Sequence, residues 1–240
     1  MVERFLQRRS LRLSKEDIHR LTWFIYNEPN GLLASVFARL PLPLKRHCVQ
    51  VGATAGLMAM QAPENAIPKV MTREEYANAV RYGSLYHDIG AYLVYNQKGL
   101  YPDAGGRLLR EELKETKLSL AERHVIIETV ENYGERYDGQ GYPDNLVGAA
   151  IPLHAGICAV ANEVDGRIAG SYGIFTNPVA DVKKFVTENK GSAFSPEAVE
   201  CFIQGYGDIL QLYNHWRKNP PFWKHNEIRP LDNPIDKPIG

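Results

Sequence analysis

Three cysteines in 240 residues, Cys48, Cys158 and Cys201, are too few and too scattered to staple a fold. They are odd in number and none stands in a C-x-x-C pair, which excludes a disulfide framework and a zinc knuckle and predicts reduced thiols in a cytoplasmic compartment. Net charge is missing too: 28 lysines and arginines face 28 aspartates and glutamates. With no basic stripe, a nucleic-acid polymer is disfavoured as a partner. Long apolar runs are also absent. The longest charge-free stretches, residues 48–63 and 145–162, are interrupted by Gln50, Thr54 and Gln61 and by Pro152 and His154. Both fall short of the roughly 20 predominantly apolar residues of a membrane helix, so no membrane association is expected. The first ten residues carry Arg and Glu where a signal peptide needs an apolar stretch, so no export is expected. Neither period-2 alternation nor an internal repeat is evident, and the chain reads as mainly α-helical.

What is present is an ordinary globular balance, 44% hydrophobic and 23% charged, enough for one large domain or two small ones. Ser14, followed by Lys15, Glu16 and Asp17, is a candidate N-cap for a first helix, closed by Pro41 and Pro43. A second helix is expected from residue 44 to about 60, where Val51, Ala55 and Met58 form an apolar stripe headed by His47. Thr72 with Glu74 and Glu75 opens a third, expected to reach His87 and Asp88 before Gly90 stops it. Residues 100–117 and 118–131 read as further helices divided near Ser119. Helix returns at 153–168 and at Ser195-Pro196-Glu197, where serine caps and proline takes the first helical position. Between them lies an irregular stretch, 133–152, with four glycines and two prolines, longer than an ordinary connection. The last 21 residues hold five of the 15 prolines and are expected to be extended.

The chemistry-bearing pair is His87-Asp88, with His47 as the natural third ligand. Imidazole and carboxylate around a divalent ion with open positions suit phosphoester hydrolysis. On spacing alone, buried histidines hydrogen-bonded to their neighbours are the commoner explanation of such a pattern.

The string Tyr86-His87-Asp88-Ile89-Gly90 is followed some fifty residues later by Glu135-Arg136-Tyr137-Asp138-Gly139-Gln140-Gly141-Tyr142-Pro143. Together they resemble the HD-GYP subgroup of the HD phosphohydrolase superfamily, over roughly residues 44 to 205. The resemblance implies an all-α, HD-domain-like helical bundle with a long irregular GYP loop and a metal centre that hydrolyses cyclic di-GMP. It implies metal ligands at His47, His87 and Asp88, with Asp165 as a further candidate and Asp88 in the catalytic role. With the prolines at 41 and 43 and the proline-rich end, the chain is expected to divide into an N-terminal helical extension (1–43), the HD-GYP-like domain (44–219) and a proline-rich tail (220–240).

Several positions depart from the subgroup's pattern. Its usual lysine after HDxG is Ala91, its His-Pro reads Tyr101-Pro102, its His-His-Glu reads Tyr133-Gly134-Glu135, and its Ala-Asp ends in Asn162. Glycine cannot ligate, asparagine lacks the anionic charge, and tyrosine ligates only once its proton is stripped. The expectation is therefore at most one divalent ion (Fe, Mn or Mg) and a degenerate module of cyclic di-GMP signalling with little or no hydrolysis. The alternative is a phosphohydrolase working with the reduced site. Asp138, Gly139, Gly141, Tyr142 and Pro143 would form a substrate or partner loop, with protein contact through Tyr142 favoured over recognition of a cyclic dinucleotide. His19, His124, His154, His215 and His225 match no ligand position. His124 is the one that could reach the site from a shifted place, because its helix leads into Tyr133.

Overall fold

The computed structural model describes residues 36–37, 39–94, 100–169 and 179–218. Among them are α1 (Leu42–Ala59), α2 (Arg73–Leu85), α3 (Tyr101–Glu112), α4 (Leu120–Asn132), α5 (Leu153–Ala169), α6 (Val179–Glu188) and α7 (Pro196–Lys218). Short 3-10 turns cover Glu64–Ala66, Ile89–Tyr92 and Gly148–Ala150. Extended pairing among the described residues is limited to two isolated bridges, Asp138 with Val147 and Lys190 with Phe194, so the fold class is all-α. The helix expected from Ser14 and the proline-rich tail, with Phe222 and Trp223, lie outside the described residues.

The helix starts follow local chemistry. Thr72 and Glu75 form a reciprocal capping box, with Glu75 N donating to Thr72 Oγ1 (3.2 Å) and Thr72 N to Glu75 Oε2 (2.7 Å). Ser119 and Glu122 repeat it at 3.2 and 2.7 Å at the head of α4. Ser195 Oγ accepts from Ala198 N at 3.1 Å, ahead of Pro196.

Two helix ends fall earlier than the sequence predicts. The helix expected over 100–117 stops at Glu112, because side chains take the carbonyls that further turns would use: Thr116 Oγ1 donates to Leu113 O (2.8 Å) and Arg123 to Lys114 O (3.3 Å). More consequentially, α2 stops at Leu85 and does not carry His87 and Asp88. Ser84 O, which the amide of residue 88 would claim in a continuing helix, accepts from His87 Nδ1 instead at 2.8 Å. The His87-Asp88 doublet thus sits on a turn, where the two side chains are free of the 100° divergence of helical neighbours.

Helix α1 is the centre of the bundle: every residue from Cys48 to Ala59 is buried, as a helix surrounded by others requires. It packs on α2, α5 and α7, while α2 also meets α4, and α6 lies on α5 and α7. Gly83 lets α2 and α4 approach, since a Cβ there would stand 2.5 Å from that of Thr129. All three cysteines are free and buried. Trp216 packs edge-on against Tyr213, 5.1 Å between ring centroids, within the core. No helix among the described residues is long and apolar enough to cross a membrane.

Candidate metal centre

His47 from α1 and His87 and Asp88 from the turn after α2 each offer a ligand atom, all within 4.8 Å of one another. The imidazoles are held in defined tautomers. Because a carbonyl only accepts, the 2.8 Å contact with Ser84 O makes His87 Nδ1 the protonated nitrogen. Its Nε2, on a fully buried ring, has no hydrogen-bond partner and lies 3.5 Å from Asp88 Oδ2. Burial is the largest influence on this histidine and lowers its pKa, which favours the neutral ring. A neutral imidazole lone pair thus faces a carboxylate oxygen, an arrangement of two acceptors that a cation between them satisfies. The donors present fit a divalent ion.

His47 is oriented the same way, through its Nδ1, which lies 2.7 Å from Asp165 Oδ2. Burial lowers its pKa, but the hydrogen bond and charge of Asp165, the charge of Asp88 and a hydrogen bond to Asn162 outweigh that and leave it raised. Asp165 is itself buried, with Oδ1 accepting from Tyr213 Oη at 2.9 Å, and Thr54 Oγ1 donates to that Tyr213 oxygen at 3.3 Å. Of the four residues expected as ligands, the structure therefore brings three together. It places Asp165 behind His47 as the carboxylate that fixes the ring, the arrangement common behind metal-bound histidines. The side chains of His47 and Asp88 are 21% and 19% exposed, so the group opens to solvent on their side while His87 closes its floor.

Three of the positions that depart from the subgroup's pattern, Tyr133, Gly134 and Asn162, adjoin the site or the loop beside it. Tyr133, buried at the end of α4, donates its hydroxyl to Asp88 Oδ1 at 2.6 Å and meets the His87 ring edge-on at 4.8 Å between centroids. Burial, with the nearby Asp88 charge, holds its phenol pKa well above 10, so it is a donor here. Gly134 makes room for the ring of Tyr142, since a Cβ there would stand 2.5 Å from that ring. Tyr142 also shares a side-chain hydrogen bond with Tyr133.

The irregular segment expected over 133–152 is present and is fixed from within. Glu135, buried, accepts from Asp144 N (2.7 Å) and Leu146 N (3.0 Å). Asp138 pairs with Arg136 through two contacts of 3.0 and 2.6 Å and accepts from Gln140 N at 3.1 Å. Gly139 has φ +78°, a left-handed conformation natural to glycine. Gly141 is needed for a different reason: any Cβ would overlap the backbone nitrogen of Arg136. Tyr142, joined to Pro143 by a cis peptide bond, is 38% exposed.

His124 does not join the site. It pairs with Glu128 at 3.2 Å on α4, and His154 meets the same carboxylate oxygen at 3.1 Å from α5. Tyr213 and Ser84 are functional neighbours that sequence reasoning misses, because a tyrosine 48 positions from Asp165 and a backbone carbonyl leave no motif.

Comparison with known proteins agrees with this geometry. The family model of the HD domain matches residues 44–167. The cyclic di-GMP phosphodiesterase response regulator RpfG of Xanthomonas campestris pv. campestris is 26% identical over 151 residues, covering 58% of this chain and 39% of that protein. A cyclic di-GMP phosphodiesterase of Thermotoga maritima is 26% identical over 180 residues, 70% of this chain and 46% of its own length. One from Vibrio cholerae is 31% identical over 150 residues, 55% and 30% respectively. The chain thus spans less than half the length of these relatives. With the family model covering just over half of the chain, from the helix that carries His47 to the one that carries Asp165, the protein belongs to the HD domain family, and its similarities lie with the HD-GYP phosphodiesterases within it.

Proposed function

We propose that the chain is a single-metal HD-GYP module of cyclic di-GMP signalling that binds a cyclic dinucleotide with little or no hydrolysis. The observation that carries this is the composition of the site: three donor residues converge, with the unpartnered Nε2 of His87 among them, and no other His, Cys, Asp or Glu among the described residues joins them. The relatives named for cyclic di-GMP hydrolysis support the ligand class.

His47, His87 and Asp88 would hold the ion, and two imidazoles favour Fe or Mn over the oxygen-seeking Mg. When bound, such an ion supplies Lewis-acid polarisation of a phosphoryl oxygen. The protein's own part is to aim two Nε2 atoms by anchoring both Nδ1 atoms, and to place the charge of Asp88 at the mouth. Clamping both the attacking and the leaving oxygen of a phosphodiester takes two ions about 3.5–4 Å apart. Three ligands do not provide for two. Ala91 also leaves the turn without the cation expected beside a scissile phosphate.

We place the functional unit at residues 44–219, beyond the 44–167 match, because Tyr213 of α7 holds Asp165. The loop at 138–143, tied by the Arg136–Asp138 pair and with Tyr142 38% exposed, is offered as the contact element for a cyclic dinucleotide or a protein partner. Three free, buried thiols support a reducing, cytoplasmic setting.

A phosphohydrolase working with one ion is the second reading, favoured by the same convergence, since three protein ligands suffice in many catalytic sites. Incubating Mn²⁺-loaded protein with cyclic di-GMP, with binding followed by equilibrium dialysis and products by chromatography, separates the two. Retention of intact dinucleotide is expected. Sustained release of linear dinucleotide, abolished in His87→Ala, would establish the hydrolase instead, and absence of both binding and turnover would remove cyclic di-GMP from the account.

A further inference from the structure

Asp88 is the only carboxylate among the three converging donors, and its two oxygens have different surroundings. Oδ2 faces His87 Nε2 at 3.5 Å, whereas Oδ1 accepts the hydroxyl of Tyr133 at 2.6 Å. The Tyr133 ring is buried and meets the His87 ring edge-on, so the side chain contacts both members of the doublet. The terminal torsion of a carboxylate is broad and two-fold, and the short bond from a buried hydroxyl narrows it.

We propose that Tyr133 is a positioning residue for Asp88: its hydroxyl bonds Oδ1 and so presents Oδ2 to an ion beside His87. The inference rests on the metal-site reading above and goes further, because it assigns a role to a side chain that offers no ligand of its own. A bond to Oδ1 takes one of that oxygen's two lone pairs and makes it a poorer ligand, so the same bond that orients Oδ2 disfavours a second cation on Asp88. Tyr142 stands behind this bond, its ring seated against Gly134 and its hydroxyl shared with Tyr133.

The test is Mn²⁺ titration calorimetry on the full chain, comparing wild type with Tyr133→Phe. That variant keeps the ring against His87 and removes only the hydroxyl. Loss of an outer partner of a metal ligand lowers metal affinity by about 10–100-fold, and a weakening of about tenfold or more is expected here, with the melting temperature of the metal-free protein little changed. Tyr76→Phe is the control: it also deletes a buried tyrosine hydroxyl, one with no hydrogen-bond partner, and should leave Mn²⁺ affinity as in wild type. Wild-type binding with the same affinity in Tyr133→Phe overturns this inference and leaves the metal site standing. Equal weakening in both variants also overturns it, since the effect would then be one of core packing. A wild-type protein that takes up no Mn²⁺ overturns the metal-site reading and this inference with it.

Discussion

His47 and Asp165 lie 118 positions apart in sequence and meet with Nδ1 2.7 Å from Oδ2, which fixes the ring of a histidine that groups with His87 and Asp88. The carboxylate is fixed in turn by Tyr213 from α7, so three helices cooperate to hold one ring. Asp165→Ala should lower Mn²⁺ affinity by about 10–100-fold. It should also destabilise the metal-free fold by roughly 1–3 kcal/mol, because the His47 and Tyr213 donors are left unpaired. Tyr213→Phe, which removes one neutral donor, should cost about 1 kcal/mol and move the affinity less. Calorimetric titration and thermal melts measure both. Unchanged Mn²⁺ affinity in Asp165→Ala would show that the aspartate does not orient the ligand.

The loop that follows α4 separates a structural glycine, Gly141, from a partly exposed aromatic, Tyr142. Gly141→Ala forces a Cβ onto the Arg136 backbone, which cannot move aside as a flexible side chain would, and a loss of about 1–3 kcal/mol is expected. Tyr142→Ala removes a ring that is 38% exposed and should cost about 1 kcal/mol, while weakening retention of cyclic di-GMP in equilibrium dialysis. A large drop in melting temperature with undiminished retention would assign Tyr142 to the core.

Away from the site, Glu128 joins α4 to α5 by accepting from His154, with His124 on the same oxygen. The His154 hydrogen bond is the largest influence on its pKa. Burial opposes it, but the charges of His154, His124 and Arg110 add to it, and the result lies below the ordinary carboxylate value. The folded state therefore holds this proton less tightly than the unfolded chain. Its contribution is present above the ordinary pKa of about 4.3 and is lost as the pH falls through the lower folded value. The melting-temperature difference between wild type and Glu128→Gln should shrink on acidification from about pH 5 to 3, through that range. A difference that stays constant or widens would contradict the sign.

Much of the bundle was legible because its signals are local. Thr72 with Glu75 and Ser119 with Glu122 announce their helices within four residues, and the stripe through Val51, Ala55 and Met58 marks the central one. Helix α6 went unread, although Val182 and Val186, both buried, stand four apart at its core. The early end of α2 could not be read, because it depends on a side chain, His87, competing for a carbonyl of its own helix. The site was legible as a list of residues and illegible as geometry. Tyr133 and Asn162 register in sequence only as missing ligands, whereas in the structure one holds Asp88 and the other contacts His47. Asp165 reads as a ligand until its distance to His47 gives it another task.

Metal stoichiometry tests the central claim most directly. Protein dialysed free of metal and titrated with Mn²⁺ should take up one equivalent per chain, with binding abolished in His87→Ala, whose Nε2 is the unpartnered atom at the floor of the site. Two tightly held equivalents per chain, or one that survives His87→Ala, would contradict a single ion held by His47, His87 and Asp88.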